Sequence, residues 1–145
     1  MAAVIDVTAA ILTRDDGRIL IARKKPGTRN AGLWEFVGGK VEEGETPEAC
    51  LRRELKEELG IEAVVGSFID ENIHHYPDLS IRLLAYLCRP LTHDITLHDH
   101  DEFAWVEKEE MRLYDLAPAD LPIIKRLADS GWYPIINMSN SGESL

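Results

Sequence analysis

Residues 39–61 read GKVEEGETPEACLRRELKEELGI, from Gly39 to Ile61, and the rest of the chain is organised around them. Thr46 offers the side-chain oxygen that caps a helix start. Pro47 suits the first helical position, where no N–H is needed, and Gly60 suits the left-handed residue that ends a helix. Together these signals predict a helix over 47–59. At about 100° per residue, Leu51, Leu55 and Leu59 form one apolar stripe, and Glu54, Glu57 and Glu58 form another roughly a quarter-turn away. One face packs and the other presents acid.

Carboxylates one turn apart repel one another by a few tenths of a kcal/mol in water and by more when desolvated. Arg53 and Lys56 offset part of this from neighbouring positions. Clustered hard oxygens are also what a divalent cation such as Mg²⁺ or Mn²⁺ requires. The turn Gly38-Gly39 would let a backbone carbonyl, that of Gly38, come close enough to join them. The competing reading is an acidic helix face that simply stands in water. Here the spacing decides. Gly39, Glu45, Arg53, Glu54, Leu55, Glu57, Glu58, Gly60 and Ile61 stand where the Nudix box has its fixed and apolar letters, without a departure. Chance agreement of that order is below roughly one in a million.

The chain thus resembles the Nudix family, and the likeness reaches beyond the box. Arg23, the run LWEFVGGK at 33–40 and the run LAPADLPI at 116–123 are similar to the MutT-like nucleoside triphosphate pyrophosphohydrolases, nearest to the CTP pyrophosphohydrolase type. The resemblance covers about residues 4–128 and implies an α/β fold, a mixed β-sheet sandwiched between helices. It implies a small-molecule nucleotide as substrate, a cytidine-type or oxidised triphosphate cut to monophosphate and pyrophosphate. Bound Mg²⁺, with Mn²⁺ able to substitute, would neutralise the phosphates and acidify the attacking water.

Carried over residue by residue, the Gly38 carbonyl, Glu57 and Glu58 are metal ligands. Glu54 is a ligand or the base that takes the water's proton, Arg53 orients a carboxylate, and Glu45 is a supporting ligand or an anchor for the loop. Glu102, shortly before Trp105, matches a further acidic metal ligand outside the box. Arg23 and Lys40 match phosphate- or base-contacting positions. Within the family the alternatives are ADP-ribose or dinucleoside polyphosphate hydrolysis. The rival from another class is a Nudix-like module that binds nucleotides without catalysis, but such modules usually lose box carboxylates and this chain keeps all of them.

The 145 residues suffice for one domain with a proper core, expected over 1–131, followed by a polar tail at 132–145. No apolar run approaches the roughly 20 residues that span a membrane, and the first residues carry no basic segment of a signal peptide, so a cytoplasmic protein is expected. Cys50 and Cys88 lack the spacing of a zinc site or a disulfide framework and read as packing residues. A formal charge of −10 argues against a nucleic acid polymer as partner, because such binding is dominated by phosphate neutralisation. A polyphosphate can be held on this surface only where metal ions and a few cations reverse the field. Monomer and homodimer are both compatible with the sequence.

In chain order, 4–13 and 18–24 are β-rich runs around Asp-Asp-Gly and read as a hairpin. The run 33–37 reads as a strand delivering the glycine turn, with Trp34 and Phe36 on one face as core or as stacking surfaces for a base. Runs 63–74 and 79–88 read as a second hairpin around Tyr76-Pro77-Asp78, and short helices are expected over 108–113 and 120–130. Asp120 stands where 8-oxoguanine readers of this type carry Asn. An ionised Asp only accepts, which would suit the amino group of cytosine, unless Asp120 merely caps the last helix.

Overall fold

Strands β1 (Val4–Leu12) and β2 (Ile19–Lys24) are apolar on both faces because they separate two cores. Successive strand residues point to opposite sides. In the computed structural model, which describes residues 3–131, Ala9, Ile11, Ile19 and Ile21 enter one core, and Ala10, Leu12, Leu20 and Ala22 enter the other. The first core is closed by a 3-10 helix (Lys108–Leu113) through Met111 and by α2 (Leu121–Asp129) through Ile123, Ile124 and Leu127. The second is closed by α1 (Pro47–Leu59), whose Leu51, Leu55 and Leu59 are fully buried. Each such side chain contributes on the order of 1.5–3 kcal/mol by leaving water. Strands between helices on both sides are the α-β-α arrangement expected.

The strands form two sheets of three. One has the order β1-β5-β4, with β4 (Ala63–His75) antiparallel and β1 parallel to β5 (Ser80–Pro90). The other is antiparallel in the order β3-β2-β6, with β3 (Trp34–Glu35) and β6 (His100–Val106) flanking β2. The hairpin predicted between β1 and β2 is therefore a correction. The turn forms, with Arg14 N–H on the Arg18 carbonyl at 2.9 Å, but beyond the bridge Thr13↔Ile19 the strands part. A turn signal specifies only its own residues. The continuous register from Val4↔Ser80 to Leu12↔Cys88 gives β1 a longer ladder on β5. The β4–β5 hairpin forms as read, closed by Tyr76 N–H on the Leu79 carbonyl at 2.7 Å.

The run 33–37 is regular strand only at Trp34–Glu35. It then leaves β2 and crosses to β1, through the bridges Ala10↔Val37 and Val7↔Lys40, so the glycine turn lies where the two sheets meet. The last helix stops at Asp129, with Ser130 as its cap. The polar tail at 132–145 lies outside the described residues.

Candidate active site

Helix α1 begins and ends as its caps dictate. Thr46 Oγ1 accepts from Ala49 N–H at 3.1 Å, and Gly60 adopts φ 69° with its N–H on the Lys56 carbonyl. With the leucine stripe buried, Glu54, Glu57 and Glu58 are turned outward beside the glycine loop. The contact is close. A Cβ at Gly39 would run into the Glu54 carboxyl group and displace it, and one at Gly38 into the backbone carbonyl of Thr8, where there is no room for a side chain.

Arg53 gathers the carboxylates. Its Nε and Nη2 hold Glu45 at 2.7 and 3.0 Å, and its Nη1 reaches Glu54 at 3.0 Å and Glu57 at 3.2 Å. Nη2 also donates to the Lys40 carbonyl at 3.2 Å, which ties the helix to the loop. The fork of a guanidinium suits such multiple pairing. The Arg53 hydrogen bonds hold the Glu45 carboxyl down at about 2. Burial pushes the Glu54 carboxyl above the usual glutamate range, against the pull of Arg53. Glu58 is also raised, first by burial and then by the carboxyl group of Asp99, whose backbone N–H donates to Glu58 Oε1 at 3.2 Å. Glu57 is exposed.

The donor set fits a hard divalent cation: three carboxylates on one helix face and a fourth from Asp99, beside backbone too close-packed for side chains. Among the described residues no three such groups are yet drawn around a common point, because Arg53 pulls Glu54 and Glu57 one way and Asp99 draws Glu58 the other.

The remaining expectations are sorted by the fold. Glu102 stands exposed on β6 opposite Arg23 and pairs with Arg23 Nη1 at 3.3 Å, while Asp99 is the acidic residue set against Glu58. Both belong to the run HDHDE, in which alternation alone ranks no acid above another. Arg23 also binds Asp101 at 2.8 Å and lies over the Trp34 ring at 5.9 Å. Trp34 is half-buried, edge-on to Tyr114 at 4.9 Å. Phe36, at 3% exposure, is core and presents no open ring face for a base, because the chain turns off β2 onto β1 at this point. Lys40 is exposed.

Asp120 occupies the N-cap position of α2, but its side chain does not cap the helix. Its side chain makes no cap hydrogen bond and instead accepts from Phe36 N–H at 2.9 Å, since the segment 115–120 runs beside Trp34. Burial first, and then the charge of Glu35, raise its carboxyl well above the usual aspartate range. Glu35 in turn bonds the buried His100 Nε2 at 3.0 Å. No pattern in the sequence pointed to the pairing of the buried His100 with Glu35.

A two-core α-β-α layer with a glycine loop against an acidic helix defines a class of protein built to bring carboxylates to one edge of a sheet. The NUDIX domain model matches residues 4–127, and the chain belongs to the Nudix family. It is 42% identical over 121 residues to the CTP pyrophosphohydrolase of Escherichia coli (strain K12), covering 83% of this chain and 89% of that protein. It is 34% identical over 124 residues to the 8-oxo-dGTP diphosphatase of Haemophilus influenzae, covering 86% and 91%. The solution structure of the E. coli ORF135 protein superposes with a TM-score of 0.75 at 38% identity, over 90% of this chain and 96% of that one.

Proposed function

We propose that this protein hydrolyses a nucleoside triphosphate, of the cytidine type, to the monophosphate and pyrophosphate. The observation that carries the reading is the acidic face of α1, its Glu54 and Glu57 gripped by Arg53, beside the Gly38–Gly39 loop. The names borne by the relatives above, one acting on CTP and one on 8-oxo-dGTP, support the substrate class. Residues 1–131 act as one domain, in the cytoplasm, on a small nucleotide.

Glu57, Glu58, Asp99 and the Gly38 carbonyl would hold a Mg²⁺ ion, which would neutralise the polyphosphate and acidify the attacking water. Glu54, whose burial favours the protonated form, takes the water's proton, a role that asks for a carboxyl of raised affinity. Arg53 keeps Glu54 and Glu57 oriented, and Glu45 anchors Arg53. Arg23 exchanges Asp101 and Glu102 for a phosphate oxygen, Lys40 meets the pyrophosphate, and Trp34 stacks on the base. A screen of nucleotides with Mg²⁺, scoring pyrophosphate against phosphate release, tests the reading. Phosphate as the first product, or cleavage of ADP-ribose alone, would overturn it.

Asp99→Asn is expected to raise the metal concentration for half-maximal rate by about tenfold, the scale of one charged ligand lost, while Glu102→Gln leaves it within about threefold. Metal titrations of the two variants beside the parent check the assignment.

Asp120 bears on base choice in a different way from an ionised acceptor. Burial, and then the charge of Glu35, favour the protonated Asp120 carboxyl, and a protonated carboxyl both donates and accepts, as Asn does. Asp120→Asn should therefore leave the ratio of kcat/KM for CTP and 8-oxo-dGTP within about threefold. A shift of tenfold or more towards 8-oxo-dGTP would show that Asp120 reads the base as an ionised acceptor.

A further inference from the structure

The underside of the glycine loop is held by two side chains that the reaction does not use. Thr8, on β1 and 1% exposed, donates its backbone N–H to the Gly39 carbonyl at 2.8 Å. Its hydroxyl donates to the same carbonyl at 3.1 Å and accepts from Gly39 N–H at 3.3 Å, so one side chain holds both ends of Gly39. Cys50, fully buried on α1, brings its Sγ to 3.4 Å from Thr8 Oγ1 and to 3.5 Å from the carbonyls of Gly39 and Lys40. Arg53 Nη2 lies at 3.7 Å from that sulfur.

The proton count limits these contacts. Thr8 has one hydroxyl proton, and with it on the Gly39 carbonyl the thiol has a single proton to share among Thr8 Oγ1 and the carbonyls of Gly39 and Lys40. Arg53 can only donate, so the sulfur accepts from it. Whichever acceptor takes the thiol proton, the contacts run from Arg53 through Cys50 to Thr8 and the Gly39 carbonyl, and join the guanidinium that orients the carboxylates to the loop that faces them. Buried polar contacts of this kind set geometry because breaking one leaves a desolvated group unpaired.

We propose that Thr8 and Cys50 are positioning residues, a hydroxyl–thiol pair that sets the Gly38–Gly39 peptide against the carboxylates of α1 and so tunes the affinity of the site for divalent metal. This rests on the function proposed above. The loss should fall on metal affinity and leave the rate at saturating metal nearly intact, because neither side chain touches the substrate.

The experiment is a Mn²⁺ titration of the substrate-free protein, read by the electron paramagnetic resonance of free Mn²⁺, alongside kcat at saturating Mn²⁺ and a melting curve. Thr8→Val keeps the shape and removes the hydroxyl. It is expected to weaken Mn²⁺ binding about tenfold, with kcat within about threefold of the parent. Thr8→Ser, which restores the hydroxyl, should return the affinity to within about threefold. Cys50→Ala should weaken binding about threefold and Cys50→Ser should recover it, which carries the test if Thr8→Val does not fold. Parent-like affinity in both Thr8→Val and Cys50→Ala, or a Thr8→Ser protein that folds yet binds as weakly as Thr8→Val, would overturn the inference alone. A parent protein that binds no Mn²⁺ would overturn the proposed function and this inference with it.

Discussion

Turnover is expected to vanish when divalent cations are stripped with EDTA and to return with added Mg²⁺ or Mn²⁺. The substrate brings about four negative charges to a chain whose formal charge is −10. Unit charges about 4 Å apart interact by about 1 kcal/mol in water and about 4 kcal/mol near a protein surface, so several like charges cannot be brought together without a counter-charge. Two of the chain's own cations at the site are already engaged: Arg53 by Glu45, Glu54 and Glu57, and Arg23 by Asp101 and Glu102. Burial and the carboxyl of Asp99 make Glu58 harder to ionise, which shows how crowded the negative charge is before any phosphate arrives. A stopped assay with a metal-free preparation and a defined nucleotide measures the effect. Hydrolysis that persists there at more than about a hundredth of the parental rate would rule out the mechanism.

Glu57→Gln is expected to lower kcat at least about a hundredfold while leaving the melting temperature almost unchanged. Glu57 is exposed, and its bond to Arg53 is of the surface kind that contributes about 0–1 kcal/mol. Glu54→Gln should behave alike in rate without losing stability, because burial already disfavours the Glu54 charge. Arg53→Met separates the two quantities. Arg53 holds Glu45 and Glu54, whose side chains are only 14% and 13% exposed, so its removal leaves two poorly hydrated carboxylates without their donor. That variant should lose both rate and on the order of 1–3 kcal/mol of stability. Full activity in the glutamine variants would demote the acidic stripe to a hydrated helix face.

Acid should act through Glu45 in the same network. Its folded-state affinity for the proton is depressed to about 2 by Arg53, so it contributes stability above the ordinary glutamate range near 4.5. That stability is lost as pH falls from there towards about 2. In Glu45→Gln the part of the acid unfolding curve between these values should flatten, as followed by circular dichroism.

The helix Pro47–Leu59, its caps, its buried leucine stripe and its acidic face were all legible in the sequence, and so was the family. Caps act over three or four residues and helical periodicity over one turn, so the information lies within the stretch itself. The sequence alone did not determine which acid of HDHDE meets Glu58, that β1 and β2 part into different sheets, that Phe36 is core, or that Asp120 turns from its helix to Phe36 N–H. Each of these depends on a partner far away in the chain. Strand pairing is settled by competition between ladders, and the state of a buried carboxyl by what desolvates it, and only the tertiary structure supplies either.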